Sequence, residues 1–365
     1  MSAHTGIQTS LSGSIYFLVL FDVCDSIDLQ SVRTLIGAQK AVPGFKDVPP
    51  EHVLYQHPPV FEALDGLVLE NGERLEGQIK YYDYGVLGLM FQLPFSGDWG
   101  SLVQIASRWI TSGELEQRAG KIARERSAKI AAALEKPHPD WLSEDYFLIH
   151  LSDVSGRPSA SEMLASHGGQ IARLVRGEVA ELSDGERNEI LQSSISYYPD
   201  DLVVVGWNAA VVYDSPQGAE TAIQLLEYAN SQLLEFRYYD ELLTKELAVV
   251  YRFLDHQTGI FAGWRQANAA SRLQAFLLDV TELTERADNA IKFLSDMYSA
   301  RLYRLAASKV GVSDYKNLVN QKLRTAEDLY RFIVDQFHQT RTFVLELMVV
   351  VILAIELIYL FRGRG

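Results

Sequence analysis

The segment 343–361, which reads FVLELMVVVILAIELIYLF, constrains the fold of this chain more than any other feature. Its nineteen residues include no Lys, Arg, Asp, Asn, Gln, Gly or Pro. As an α-helix it covers roughly 28 Å, which is close to the hydrocarbon thickness of a bilayer. Arg341 precedes the segment, and Arg362 and Arg364 follow it. The pattern predicts a transmembrane helix, and the alternative is a helix buried in a protein core.

The amino end of the chain has no comparable segment. Residues 1–14 are polar and rich in Ser and Gly, and the apolar run 15–21 is too short for a signal peptide. We therefore expect a single-pass, tail-anchored protein of the inner or cytoplasmic membrane, with its N-terminal bulk in the cytoplasm. In a eukaryote the corresponding location is the mitochondrial inner membrane.

Two glutamates, Glu346 and Glu356, lie inside the predicted span. An ionised carboxylate at mid-bilayer costs about 2.5–3.5 kcal/mol on insertion scales, so Glu356 is expected to be protonated or paired. The two side chains lie roughly 80° apart around the helix axis. Together with Arg341, Leu345 and Ile355 they are predicted to form a surface for self-association or for docking another membrane protein. The alternative is a protonated glutamate that the apolar neighbours tolerate.

Two parts of the chain resemble one another in sequence. Residues 16–23 (YFLVLFDV) and 146–154 (YFLIHLSDV) are apolar, aromatic runs that are typical of strands buried on both faces. Each is followed by a helical pattern, by two strands that meet at a turn, and by another helical pattern. This repeated order favours two ferredoxin-like or split βαβ lobes in an α+β fold. Chance recurrence in an aromatic-rich chain is the alternative.

The sequence also predicts where the parts of the chain are divided. Residues 114–136 read as a solvent-exposed helix that ends at Pro137-His138-Pro139, a natural boundary between the lobes. The predicted domains are a first α+β lobe at 1–136, a second α+β lobe at 137–240, a helical hairpin at 241–340 and a transmembrane anchor at 341–365.

The region after residue 264 contains almost no helix breakers, and its apolar positions recur in steps of three and four. Gly311 predicts the end of one helix and the start of another, so the region is expected to form an antiparallel hairpin. The second helix, 314–361, is predicted to continue without a break into the span. Its heptad pattern is typical of a coiled coil, with a seam at Leu323, Tyr330, Ile333 and Phe337. A plain two-helix packing surface within a globular domain is the alternative.

The C-terminal sequence resembles that of the Required-for-meiotic-nuclear-division protein family. The matching residues are an Arg, a Leu-Glu pair and, after an aliphatic run, an Ile-Glu pair, here Arg341, Leu345-Glu346 and Ile355-Glu356. The family usually has Trp where this chain has Leu347, and residues 236–254 look similar to the family's helical half. The resemblance implies a membrane-anchored, non-catalytic protein. Mitochondrial members of that family form large assemblies in the inner membrane and support translation of membrane-encoded products.

The sequence contains no recognisable catalytic or metal-binding motif, neither a phosphate-binding loop nor a zinc-protease or serine-hydrolase signature. The single cysteine, Cys24, excludes a disulfide framework within the chain, and the charges of Asp22 and Asp25 beside it are expected to raise its pKa. His52 and His57 lie in a Pro-rich loop, where we expect surface residues rather than metal ligands. We therefore expect no enzyme, no cofactor and no bound metal.

The formal charge of −14 excludes a broad electrostatic interaction with nucleic acid, which needs a basic surface. The leading hypothesis is a non-enzymatic membrane scaffold or docking platform that forms homo-oligomers through the hairpin and the span. Two alternatives remain open at this point. One is an ion- or proton-conducting assembly that uses Glu356, and the other is a membrane-bound enzyme with a site between the lobes.

Overall fold

A computed structural model describes residues 10–37, 53–69, 72, 74–255, 262–288, 291–293 and 297–362. In chain order the elements are β1 (Leu11–Ile27), α1 (Leu29–Ile36), β2 (Val53–Tyr55), β3 (Val60–Val68), β4 (Arg74–Tyr81), β5 (Val86–Gly97), α2 (Trp99–Ile110), α3 (Glu114–Lys129), β6 (Leu134–Val154), α4 (Ala160–Arg176), α5 (Asp184–Leu191), β7 (Ser194–Ile195), β8 (Leu202–Val205), β9 (Ala209–Tyr213), α6 (Pro216–Asp255), α7 (Ala262–Asp288), β10 (Ile291–Phe293), α8 (Met297–Val310) and α9 (Val312–Arg362). A short 3-10 turn, Ala131–Ala133, precedes β6.

The chain divides into two compact units. Unit 1 comprises Met1–Tyr238 and Glu285–Tyr315, and unit 2 comprises Tyr239–Thr284 and Lys316–Gly365. Unit 1 contains all the described strands, and unit 2 is helical. The fold class is α+β.

Eight of the ten described strands of unit 1 form one mixed sheet, in the order β3-β4-β5-β1-β6-β9-β8-β7, and β2 and β10 form a separate two-stranded sheet. The strands predicted to open two separate lobes are β1 and β6, and they pair antiparallel in the middle of the mixed sheet, with Phe17 opposite Phe147. The prediction of two ferredoxin-like lobes was therefore wrong. The two sequences resemble one another because both strands are covered on both faces, which selects the same apolar residues. Pro137, at the predicted lobe boundary, lies within β6.

One face of the sheet packs against α2, α3 and α4. The side chains of Phe17, Val19, Phe21 and Val23, at alternate positions of β1, enter this core, which is mostly apolar. Phe17 packs edge-to-face against both Trp109 of α2 and Phe147 of β6, with ring centroids 5.5 Å apart in each pair. Aromatic pairs of this kind add to the burial energy of the core.

The opposite face of the sheet packs against the first part of α6, and this interface is polar. Residues 224–236 of α6 are buried without exception, although they include Gln224, Glu227, Asn230, Ser231, Gln232 and Glu235. Lys80 of β4 forms a buried ion pair with Glu227, and the hydroxyls of Tyr84 and Ser231 lie 2.7 Å apart. Tyr303 of α8 donates a hydrogen bond to Gln232. The sheet and α8 together enclose this segment of α6.

Unit 2 has a small apolar core of its own. Residues from α6, α7 and α9 form it: Leu247, Val250, Ala270, Leu273, Ala326 and Ile333. Lys322 of α9 donates hydrogen bonds to the Asp240 carboxylate at 2.5 Å and to the Thr244 hydroxyl at 2.6 Å. Three helical segments, rather than the two of the predicted hairpin, therefore build this unit.

The first helix of the predicted hairpin is also interrupted. After α7 the chain forms β10, which pairs antiparallel with β2 so that Ile291 lies opposite Tyr55. The helical path resumes at α8, and Gly311 has a φ of +97° between α8 and α9. The spacing of apolar residues in steps of three and four does not reveal this break, because Ile291 fits the apolar face of a helix as well as a short strand.

The predicted C-terminal transmembrane anchor is contradicted. No helix within the described part of the chain is long and apolar enough to cross a membrane. Glu346 and Glu356 leave only nine apolar residues, 347–355, between them, whereas a spanning helix needs about twenty. The tail-anchored scaffold, the inner-membrane location, the membrane partners and the conducting assembly all depended on that span, and they are withdrawn with it. The predicted homo-oligomer is left without support.

Candidate functional site

An irregularity in β6 lies at the end of β1 and positions a histidine. Asp22 of β1 pairs with Leu142, whereas Cys24, two residues further on, pairs with Pro137. Strand β6 therefore carries three extra residues against β1 at this point. Such bulges redirect side chains and are common beside functional sites. Here the bulge places His138 in a buried cluster with Asp22, Cys24, Asp25 and Tyr238, which we call the His138 cluster.

His138 lies between two carboxylates. Its Nδ1 is 3.1 Å from Asp22 Oδ1, and its Nε2 is 3.1 Å from Asp25 Oδ1. The contact with Asp22 lacks hydrogen-bond geometry and acts as an ion pair, whereas the contact with Asp25 is a hydrogen bond. The His138 ring stacks on that of Tyr238, with 4.2 Å between centroids. The side chains of His138 and Asp22 are 5% and 1% exposed, so the ion pair is shielded from solvent.

The cluster has perturbed proton affinities. Burial alone lowers the pKa of His138, but the adjacent Asp22 and Asp25 outweigh it and raise that pKa to about 9. Burial raises the pKa of Asp22, and His138 offsets part of this effect. The pKa of Asp25 is lowered: burial acts in the opposite direction but is outweighed by His138 and Lys136. At neutral pH the cluster therefore holds an imidazolium between two carboxyl groups.

The thiol of Cys24 is also affected by this environment. Burial, and then the charge of Asp22, raises the pKa of its thiol to about 12. The predicted direction of this shift is confirmed, although burial is a larger cause than the neighbouring aspartates. Because the thiolate is the reactive form, this shift disfavours nucleophilic reaction of Cys24 at neutral pH.

A cleft of about 680 Å³ opens next to this cluster, where β1 leads into α1. Its polar lining comes from five places in the fold: Ser26, Asp28, Gln30, Arg33, His57, Asp83 and Glu135. His57 Nδ1 lies 2.7 Å from Asp83 Oδ2, and Ser26 Oγ donates to Glu135 Oε2 at 2.7 Å. The Asp28 carboxylate caps α1 by accepting from the Gln30 and Ser31 amides.

The β4–β5 turn holds one wall of the cleft in place. Its Asp83 carbonyl accepts a hydrogen bond from the Ile27 amide at 2.9 Å, and the Gly85 carbonyl accepts one from the Val23 amide at 3.1 Å. Gly85 has a φ of +97°, and a Cβ there would lie 1.8 Å from the Cys24 carbonyl oxygen. Only glycine fits this turn, which fixes Asp83 and hence the orientation of the His57 ring.

Among the residues predicted for the interaction surface, those whose side chains the structure describes take no part in either arrangement. Leu345, Glu346, Ile355 and Glu356 are exposed on α9, and the side chain of Arg341 lies outside those that the structure describes. Among the predicted seam residues, Ile333 is buried in the core of unit 2, and Leu323 and Tyr330 are half-buried. The side chain of Phe337 lies outside the described set, as does all of His52.

The His138 cluster was not predicted from the sequence, although the sequence contains an indication of the bulge that forms it. Pro137 and Pro139 flank the histidine, and this pattern was interpreted as a boundary between lobes. Proline within a strand is confined to edges and bulges, so two prolines around a polar residue also fit a bulge. His57 was correctly placed at the surface, with its side chain 58% exposed, but its contact with Asp83 was not predictable from a sequence separation of 26 residues.

No group of three or more His, Cys, Asp or Glu side chains among the described residues is arranged to hold a metal ion. The cleft, in contrast, offers carboxylates, one guanidinium and one imidazole to a molecule that enters it.

Comparison with known proteins places unit 1 in a family. Residues 12–220 match the model of the family described as "Uncharacterized protein MJ0711, N-terminal domain". The uncharacterized protein MJ0711 of Methanocaldococcus jannaschii is 22% identical over 225 residues, which cover 62% of this chain and 68% of that protein. No solved structure matches the chain. Neither match supports the predicted membership of the Required-for-meiotic-nuclear-division family. Because the matched residues make up more than half of the sequence, the chain belongs to the MJ0711 N-terminal domain family.

Proposed function

We propose that unit 1 is a binding module without catalytic activity, and that its cleft binds a small polar molecule bearing a positively charged group. The observation that carries this proposal is the charge of the cleft lining. Three carboxylates, Asp28, Asp83 and Glu135, face the cavity with one guanidinium, that of Arg33. Clefts of roughly 300–1,000 Å³ are typical of small-molecule sites, and this one has about 680 Å³.

The lining carboxylates support binding of a cation because each retains acceptor capacity. Asp83 accepts from His57, and Glu135 accepts from Ser26, whereas a carboxylate offers about four lone-pair sites. An ammonium or guanidinium group entering the cleft gains charge-assisted hydrogen bonds to these oxygens. Arg33 supplies a complementary position for an acidic group on the same molecule, which favours zwitterions of amino-acid size.

Binding is favoured over catalysis by the location of the perturbed groups. The side chains with strongly shifted pKa values, His138 and Cys24, are buried and do not line the cleft. Active sites usually combine such shifts with access to a pocket. Acid–base catalysis by His57 is the second candidate, because the 2.7 Å contact with Asp83 would orient its imidazole in the way that catalytic dyads do.

A titration of the full chain with matched ligands tests the proposal. Isothermal calorimetry with arginine and spermidine is expected to give binding, and glutarate is expected to give none. The Glu135→Gln and Asp83→Asn variants should weaken cation binding about tenfold each, because each removes a charge-assisted contact. Asp153→Asn is the control, since Asp153 is exposed and outside the cleft. Equal affinity for cations and anions, or equal effects in the control, would contradict the proposal.

The resemblance of residues 341–356 to the Required-for-meiotic-nuclear-division family stays a proposal as well. The family match ends at residue 220, so it neither includes nor opposes the C-terminal residues on which that resemblance rests. A family alignment that includes Arg341, Glu346 and Glu356 would decide it, and an unrelated C-terminal region in close homologues would overturn it.

A further inference from the structure

A second, smaller cavity of about 190 Å³ lies on the helical side of unit 1, away from the residues of the cleft. It is lined by Gly169, Gln170 and Arg173 of α4, by Glu181 and Leu182 of the following loop, and by Arg187 of α5. Its charged groups are thus two guanidiniums and one carboxylate. The lining residues alone carry one net positive charge in a chain with a formal charge of −14, and Asp184, which pairs with Arg187, lies outside the lining.

Both guanidiniums have donors to spare. Arg173 donates to the Val179 carbonyl through Nη2, which fixes the side chain against the loop, while its buried Nε has no hydrogen-bond partner. Arg187 contacts Asp184 through Nη2, at 2.9 Å. A guanidinium offers five N–H donors in a planar fork that matches the oxygens of a tetrahedral anion. An unpartnered, buried Nε is costly unless a ligand or water accepts from it.

The geometry points to a binding site for a small oxyanion of the phosphate class that carries one proton. The two arginines supply the donors for the anionic oxygens, and the Gln170 amide adds a neutral donor. Glu181 adds an acceptor, which repels a fully deprotonated anion but accepts from a P–OH group. A cavity of about 190 Å³ holds one such anion with a few waters, since a water occupies about 30 Å³.

Discrimination between phosphate and sulfate tests this inference most sharply. Near neutral pH inorganic phosphate retains a proton that can be donated to Glu181, whereas sulfate has none. Calorimetric titration of the full chain with each anion is expected to show binding of phosphate at least about tenfold tighter than that of sulfate, because the carboxylate either accepts from the anion or repels it. In Glu181→Gln, whose amide can donate, the two affinities should become equal.

Variants of the arginines separate a defined site from general surface charge. Arg173→Gln and Arg187→Gln are each expected to weaken phosphate binding at least tenfold. Arg187→Gln leaves the contact between Arg173 and Val179 intact, so it reports on binding even if Arg173→Gln disturbs the loop. The control is Arg176→Gln, because Arg176 lies on the same helix, is 58% exposed, pairs with Glu186 and does not line the cavity. No phosphate binding, no preference over sulfate, or an equal loss in Arg176→Gln would overturn the inference.

Discussion

Two helical segments of this chain reverse the usual relation between polarity and burial. Residues 224–236 of α6 include six polar side chains and are buried throughout. Residues 348–358 of α9 are apolar apart from Glu356, and all of them are exposed. The first segment lies in unit 1 and the second in unit 2. Burial is therefore decided by which elements cover a helix, and the hydropathy of the helix does not reveal them.

Polar burial in α6 is stable because the surrounding elements supply partners. Lys80 of β4 pairs with Glu227, and Tyr84 contacts Ser231, whereas the Asn230 amide donates within α6 itself, to the Leu226 carbonyl at 2.8 Å. A buried polar group without such a partner would cost several kcal/mol. That is a large part of the free energy of unfolding of an ordinary protein. In the described part of α9, by contrast, the exposed apolar side chains gain little burial energy.

The largest effect is expected from removal of one partner of the buried ion pair. Glu227→Ala leaves the Lys80 ammonium buried, with its side chain only 6% exposed, and should cost about 3–5 kcal/mol of the free energy of unfolding. Urea denaturation followed by circular dichroism measures this loss. The double variant Lys80→Met with Glu227→Leu removes both charges and should recover most of it. A loss below about 1 kcal/mol in Glu227→Ala would show that the α6 interface is hydrated.

The second effect is a dependence of stability on pH through the His138 cluster. The folded-state pKa of His138, about 9, lies above the value of about 6.5 in the unfolded chain. The stabilisation is therefore fully present below about pH 6.5 and is lost as the pH rises through about 9. At about 1.4 kcal/mol for each pKa unit, the loss is of order 3 kcal/mol. Denaturation midpoints from pH 6 to 10 measure it. Asp22, Asp25 and Tyr238 contact the same histidine, and Lys136 pairs with Asp25, so His138→Gln is the necessary control, and it should flatten the profile. An unchanged profile would assign the dependence to another group.

A smaller effect is expected from the Tyr84 hydroxyl, which lies 2.7 Å from the Ser231 hydroxyl. Tyr84→Phe should destabilise unit 1 by about 1–2 kcal/mol, because it leaves a buried serine without this partner. Chemical denaturation of Tyr84→Phe and of the Tyr84→Phe, Ser231→Ala pair measures the coupling. Additive losses in the pair would show that the two hydroxyls do not interact.

The smallest effect is expected from substitutions in the exposed segment of α9, in contrast to those in the buried segment of α6. Leu353→Ser and Glu356→Gln change exposed positions of α9 and should alter the free energy of unfolding by no more than about 0.5 kcal/mol each. The same denaturation experiments measure them beside Glu227→Ala. A loss of 2 kcal/mol in Leu353→Ser would mean that this segment is covered in the folded chain.

Local elements were more accessible from the sequence than their assembly. The apolar runs at 16–23 and 146–154 identified the centre of β1 and the C-terminal part of β6, because burial on both faces leaves a direct compositional signal. That β1 and β6 pair with one another could not be derived, since pairing depends on contacts separated by more than a hundred residues. The mostly apolar composition of residues 343–361 predicted a transmembrane helix. That prediction is contradicted, because no helix in the described part of the chain is long and apolar enough to cross a membrane.

The candidate site was less predictable than the fold. His57 and Asp83 come from a loop and a turn, and only the folding of β3 and β4 against one another brings them together. His138 was visible as a proline-flanked residue, but its carboxylate neighbours Asp22 and Asp25 lie on β1, more than a hundred residues earlier. Arg173 and Arg187 carried no periodic or motif signal at all.

Native-state hydrogen exchange tests most directly the claim that coverage, rather than hydropathy, decides which helix is core. Backbone amides at 224–236 of α6 should exchange only through global unfolding of unit 1, because sheet and α8 enclose them. Amides at 345–358 of α9 should exchange at least a hundredfold faster, through local opening. Equal protection of the two segments, or faster exchange in α6, would contradict the account.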